Sequence, residues 1–475
     1  MRSDEAKWED LPFNGDPYAG VDETELSGVS AYVMDAYVNE LEHTCKRPGL
    51  LQFIDLGTNA GVDGLYWWSR KRKAIAVSAG RVFQIDDFTG TVTELTGATL
   101  NIGARVSFAT DGTKLIMANG GRMVHVIESG PLTVMADPDA PISVSHVAYL
   151  DGYILANKRD TGIFHFSAVD DLTDWDAAEF ASAEGKPDNI TALYEGWNEV
   201  ALVGPESIEI WVNDGQTPFS RLSGGLIQRG CSAPNTFRQV GNSWMWLDEN
   251  KRFVKLTGRT PEPVSFPFDK VLQGLPSVEE ALADVMEIAG QSFYVVSFPL
   301  VHRTFVYNVY RNAWHEWGYW NQNTATHEQF RGSAYCNAVE WGLHLVGDRA
   351  NGLTYKMSRE YFTDNGDLIR SVRRTGFADH GTTQKKRCYE AILRCKRGQG
   401  NATVSSPTMT VRWRDQPGAW SNARTVSLGE IGDHALHARM LGLGTYRVRQ
   451  WELSHSQDTD WILMGGKQLI DVLPS

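Results

Sequence analysis

The chain has 475 residues, with 45 Lys and Arg against 58 Asp and Glu, a net charge of −13. That length suits two domains or one large closed β domain. No run of about 18 apolar residues occurs, which excludes a transmembrane helix, and the acidic balance argues against wrapping DNA through broad phosphate contacts.

Residues 1–50 read as an arm: Pro12, Gly15, Pro17 and Gly20 lie among many acids. The expectation is an irregular segment packed on the body or on a partner. Residues 1–9 are polar and lack the apolar core of a signal peptide.

From 51 to 375 one phrase recurs. A glycine in a short polar turn precedes an apolar run, at Gly64, Gly112, Gly152, Gly196, Gly241, Gly290 and Gly342. These lie 48, 40, 44, 45, 49 and 52 residues apart. A second apolar run follows each first one, with period-two alternation as in Ile208, Glu209, Ile210 and Trp211. A repeating β unit of this size marks a propeller blade, whose sheet must stack on neighbours to bury both faces. The pattern predicts an all-β propeller, with seven blades as the bet and six or eight as alternatives. A ring of this kind closes by completing one blade with strands from both ends of the repeat, and 50–56 is the candidate closing strand. Asn365-Gly366 reads as a type I′ or related tight turn. One segment, 276–288, reads as an inserted helix, with Ser277 as N-cap, Glu279 and Glu280 in its first turn, and Val278, Leu282, Val285 and Met286 on one face.

Residues 376–475 form a separate small β-sandwich-like domain on this reading. They carry 13 Lys and Arg against 9 Asp and Glu, a net of +4, so residues 1–375 carry 32 against 49, a net of −17. The strand at 446–453 alternates cleanly, which predicts one solvated or interfacial face.

The search for chemistry returns none of the usual signals. There is no G-x-S-x-G, no zincin helix, no Walker A and no G-x-G-x-x-G after a strand. The segment 414–420 is the nearest match to a sialidase aspartate box, lacks its serine, and reads as a hairpin turn. Glu179, Glu184 and Glu316 are the carboxylates a glycosidase pair would need. The five cysteines, Cys45, Cys231, Cys336, Cys388 and Cys395, are odd in number and fit no zinc spacing. No catalytic, cofactor-binding or metal-ligating residue is assigned. Trp314, Trp317, Tyr319 and Trp320 form either a sugar platform or inter-blade packing, with packing favoured. Of the adjacent Trp67 and Trp68, one is expected at a blade or subunit interface. The basic clusters 70–73, Lys385-Lys386-Arg387, and Arg394 with Lys396 and Arg397 read as solvated loops or strand edges.

Several phrases stand out in order: Asp151-Gly152-Tyr153 with 180–190; 207–213 leading into Ile227-Gln228-Arg229-Gly230-Cys231-Ser232-Ala233-Pro234; 293–299; and Val306-Tyr307-Asn308 with Trp314-His315-Glu316-Trp317. Val346-Gly347-Asp348-Arg349, 361–366, Ala419-Trp420-Ser421-Asn422 and 428–432 follow. This ordered set resembles the packaged-DNA stabilisation or tail nozzle (tail hub) proteins of short-tailed bacteriophages, the podoviruses. The resemblance implies a structural virion protein without catalytic residues or cofactors. It implies a homohexameric ring below a portal–adaptor ring, carrying tail fibres or spikes and tail-tip proteins, through which packaged double-stranded DNA leaves. It places the protein in the virion tail, assembled in the bacterial host cytoplasm. Arg229, Trp314, Trp317, Lys385, Lys386 and Arg387 are the assembly or structural residues singled out. The alternative is a propeller-fold carbohydrate-binding or glycoside-hydrolase tail protein.

Overall fold

The computed structural model describes residues 6–13, 32–128, 130–215, 218–266, 269–416, 418–433 and 437–474. Six four-stranded antiparallel meanders follow one another, at 62–95, 107–134, 147–182, 192–227, 238–263 and 282–321. They are blades of a β-propeller. Three further strands, Gly332–Ala338, Leu343–Asp348 and Leu353–Ser358, are completed by Gly49–Asp55 from near the other end of the chain. The strand expected to close the ring therefore pairs with the last of these strands. The only α-helix among the described residues is Asp269–Gln273.

What holds the ring is burial between neighbouring sheets. Trp67 and Trp68 show how alternation achieves it. Consecutive strand residues point to opposite faces, so Trp67 packs with Leu345 and Ala338 on one side while Trp68 packs with Leu115 and Met117 on the other. Both are buried, Trp68 completely. The Trp68 indole N–H donates to Gly112 O at 3.1 Å, so its polar edge is satisfied in the next blade. Each of the two indoles lies between blades, where the sequence placed one.

Two turns were legible. Asn365 and Gly366 have φ of 55° and 94° and join Thr363–Asp364 to Asp367–Leu368, the positive pair that a type I′ turn needs. Asp151 and Gly152 do the same between Val147–Leu150 and Tyr153–Asn157.

Three expectations are corrected. The helix expected at 276–288 is replaced over half its length by the strand Leu282–Ile288, paired in register from Leu282↔Ser297 to Ile288↔Gln291. Ala289 and Gly290 both have positive φ and make the tight turn. Pairing then buries Ala283 on one neighbour and Met286 with Ile288 on the other, which outweighs the helix propensity of this segment.

The arm is not irregular where it is described. Lys7–Asp10 pairs with Ile462–Val472, and Ala36–Val38 and Thr44–Lys46 form a hairpin in the same sheet. Tyr32–Met34 runs parallel to Ala313–Asn321 and antiparallel to Ser371–Arg374. Pro17, Gly15 and Gly20 lie outside the described residues.

The alternating strand near 446–453, observed as Arg449–His455, is buried at every position. Trp451 and Leu453 enter an apolar core, while Gln450 and Glu452 are covered by arginines from the adjoining strand. Tyr32–Met34 thus extends the 282–321 sheet through Ser371–Arg374 and Arg449–His455 to Thr408–Asp415 and Arg424–Ser427. A second sheet contains Lys386–Cys395, Ile462–Val472 and the arm strands. One core receives Val33, Val411 and Leu453 from the first sheet and Ala391, Leu463 and Ile470 from the second.

All five cysteines are free and buried. Burial pushes the thiols of Cys45, Cys231, Cys336 and Cys395 up to about 12, so they stay protonated and inert at neutral pH.

Candidate functional site

Loops at one end of the propeller converge on a funnel of about 770 Å³. Asp63, Arg105, His146, Arg159, His302 and Arg349 are among its lining residues. Arg105 crosses the floor. It stands just before the strand Ser107–Thr110, yet it donates to Ser333 O at 2.6 Å and pairs with Asp284, both on blades beyond the 62–95 blade. The guanidinium thus ties the sheets of Ser333 and Asp284 to the 107–134 blade. Asp63 accepts the Gly103 N–H at 3.1 Å, and burial raises its carboxyl despite that bond and Arg105. His146 is buried between Ser145 Oγ at 3.0 Å and Tyr194 OH at 3.1 Å, and burial, with Arg238 nearby, lowers it to about 3.

The funnel does not bring together the carboxylates Glu316 and Glu179 that the sequence offered as a glycosidase pair. Glu316 lies buried on the 282–321 blade, where Arg303 Nε donates to it at 2.6 Å. Glu179 sits exposed on the outer strand of the 147–182 blade. The two occupy separate blades, and neither lines the funnel.

The residues singled out from the sequence are scattered. Trp314 is buried between the 238–263 and 282–321 blades, its N–H donated to Val264 O at 2.7 Å. Trp317 is buried on the opposite face of the same strand and donates to Ala36 O at 3.4 Å. Both pack, and neither forms a sugar platform. Tyr319 and Trp320 are partly exposed, each beneath a guanidinium, Arg331 at 4.0 Å and Arg370 at 4.5 Å. Lys386 is fully buried, its ammonium held by the carbonyls of Thr382, Gln384 and Arg447 at 2.6, 2.9 and 2.7 Å, while Lys385 and Arg387 are exposed. A cation buried under three carbonyls closes its own loop, so the triplet is not one basic patch.

Arg229 donates to Asp248 Oδ2 at 2.8 Å, and that carboxylate is completely buried. Its other oxygen accepts the N–H groups of Asn250 and Arg252. Arg229→Ala is expected to cost about 1–3 kcal/mol, because the buried oxygen loses its partner. Urea unfolding of the two proteins checks this, and an unchanged midpoint would deny Arg229 its structural role.

Comparison with known proteins adds one decisive match. A family model described as "Phage_stabilise: Bacteriophage P22 Gp10, beta-propeller" matches residues 34–361. The chain belongs to the Phage_stabilise family. No curated protein matches. Solved structures resemble the fold only. The WD40 propeller domain of Doa1 is 12% identical, covering 66% of this chain and 97% of that one, with a TM-score of 0.41. YCF48 from Cyanidioschyzon merolae is 10% identical, covering 66% and 99%, with a TM-score of 0.41. The extracellular domain of BT4673 from B. thetaiotaomicron is 8% identical, covering 90% and 62%, with a TM-score of 0.43.

The Phage_stabilise match starts beside a charged cluster that sequence reasoning missed. Arg47 is buried, and its Nε donates to Asp35 at 2.7 Å. One terminal nitrogen donates to Asp364 at 2.9 Å and to Pro48 O at 3.1 Å, the other to Gly318 O at 2.8 Å. Burial alone would raise the Asp35 carboxyl, but Arg47 and His327 hold it below the usual carboxylate range. The cluster fastens the arm to the 282–321 blade and to the turn after Leu353–Ser358. In this Phage_stabilise chain 317 residues separate Arg47 from Asp364, a distance over which no local pattern could have paired them.

Proposed function

We propose that this chain is a structural virion protein, a subunit of a phage tail nozzle. On this reading copies form a ring, a homohexamer, around the DNA exit channel in the virion tail. The ring sits below the portal–adaptor ring, carries fibres or spikes and tail-tip proteins, and retains packaged double-stranded DNA until it supports ejection. Assembly takes place in the bacterial host cytoplasm, and the protein performs no catalysis.

The observation that carries the reading is the family match over residues 34–361, across a propeller. Two features support it. The net charge of −17 over residues 1–375 lets a polyanion slide past instead of sticking. Arg105 ties three sheets together at the funnel, which suits a rigid ring subunit, and on this reading the DNA path runs between copies. On the same reading the unit 332–358, completed by Gly49–Asp55, is a seventh blade, and the two sheets that share the core around Trp451 form a sandwich-like module.

Electron microscopy of the protein mixed with a portal–adaptor complex from the same virus tests this. A ring docked end-on, enclosing a channel wide enough for duplex DNA, is expected. A monomer that ignores the complex would overturn the reading, and glycan screening would follow.

A further inference from the structure

The sheet that leaves the 282–321 blade carries a row of charge across one face. Tyr32, Arg374, Glu452 and Arg412 are successive cross-strand partners, and Gln450 with Arg414 is the next pair. Arg374 Nε donates to Glu452 at 2.8 Å and Arg412 Nε to the same carboxylate at 2.6 Å. Arg414 Nε finds only the neutral Gln450 Oε1, at 2.6 Å. All three guanidiniums surround one half-buried indole: their central carbons lie 5.1, 4.6 and 5.1 Å from the Trp420 ring centre. Burial, then Arg374 and, more weakly, Arg412, press the Arg414 guanidinium below its ordinary pKa. Three arginines against one buried carboxylate repel one another, and an arriving anion relieves that repulsion. A guanidinium stacked on an aromatic face can still donate in-plane N–H groups to a carboxylate.

The acidic counterpart lies across the ring. Two blades separate the 147–182 blade from the 282–321 blade on one side, and two separate it from the 332–358 unit on the other. Its outer strand, Asp171–Ser182, pairs only with Ile163–Ala168. That strand exposes Asp174, Asp176 and Glu179, with Asp139 exposed on the loop before the blade. None of these four makes an ion pair with another described residue. Phe180 is 47% exposed beside them. Charges on an edge strand keep it from pairing with a stray backbone, and here they are opposite in sign to the arginine face.

We propose that the arginine–Trp420 face of one copy docks on the acidic outer strand, Asp171–Ser182, of the next copy. The two surfaces are different patches of one chain, so the contact is head-to-tail and repeats in the same sense until a ring closes. The inference rests on the ring-subunit reading and specifies which faces meet.

A charge-swap experiment on the full chain tests it. Sedimentation velocity would compare the wild type, Arg412→Gln/Arg414→Glu, and Asp174→Arg/Asp176→Arg, at low salt and at about 0.5 M salt. Arg412→Gln/Arg414→Gln, which adds no charge beside Glu452, serves as the milder face variant, and circular dichroism verifies folding. Wild-type association is expected to weaken with salt. Each charge-reversed variant alone should weaken it about tenfold or more. An equimolar mixture of the two variants should restore part of it, because the substituted face can then meet the introduced arginines while the native face meets the native acids. Unchanged association in the face variants, or no rescue on mixing, would overturn the proposal. So would a face that binds a short DNA duplex and loses it on substitution while self-association persists. Where the wild type stays monomeric alone, ring occupancy on the portal–adaptor complex is the readout. There, variants that still form a docked ring sink this interface but leave the nozzle reading intact, whereas a wild type that forms none sinks both.

Discussion

Arg47→Met is expected to destabilise the protein by about 3–5 kcal/mol. The substitution keeps the volume of the side chain but strands two buried carboxylates, Asp35 and Asp364, each no more than 1% exposed. It also removes the donor to Gly318 O and the guanidinium that lies 5.0 Å above the Phe330 ring. Arg47→Lys should recover only part of the loss. An ammonium cannot reproduce a planar fork that serves Asp35 on one edge and Asp364 on the other. Denaturant unfolding measures the effect. The second consequence is local: Gly318 N–H also donates to the Asp35 carboxylate and Ser371 Oγ–H to the Asp35 backbone carbonyl, so hydrogen exchange should speed up in the arm hairpin and at the end of Ala313–Asn321. A fully stable Arg47→Met protein would mean that the arm is held by its strands alone.

The protein is expected to lose stability as pH falls from about 6.5 towards 3. Burial lowers His146 and His315 to about 3, with Arg238 and Arg373 adding to it, and lowers His455 well below its ordinary value. The reason is plainest at His315, whose Nε2 accepts the Val38 N–H at 3.1 Å in a fully buried site. A protonated ring would lose that bond and hold an uncompensated charge. A folded pKa below the unfolded one means that the unfolded chain binds more protons between the two values. Each histidine's contribution is therefore whole above about pH 6.5 and declines by about 1.4 kcal/mol per pH unit as the pH falls through the window. Asp35 acts in the same direction at lower pH, where its depressed carboxyl finally takes up a proton. His315→Gln keeps an acceptor for Val38 without a titrating group. Its stability profile between pH 6 and 4 should be shallower by about that slope, and an identical profile would remove His315 from the account.

The sequence by itself determined the propeller, because a blade's strands are local. The turn glycine, the period-two runs and the paired Trp67 and Trp68 are all written within a few tens of residues. The closing strand Gly49–Asp55 was legible for a different reason, since its partner Leu353–Ser358 is far along the chain: a repeat array leaves an open edge that a strand from its other end can complete. The ordered phrases likewise carried the family. The tertiary structure decided what rests on partners far along the chain. Leu282–Ile288 is short, and its helix-forming residues fit either state until Gln291–Phe298 pairs with it. Strand Arg449–His455 alternates as though half solvated, and Arg374, Arg412 and Arg414 from its two neighbouring strands bury its polar side. Arg47 meets Asp35, Gly318 and Asp364 across up to 317 residues. Hydrophobic periodicity records which face of an element is covered, whereas a buried charge records its partner only in three dimensions, because Coulomb attraction carries no sequence spacing.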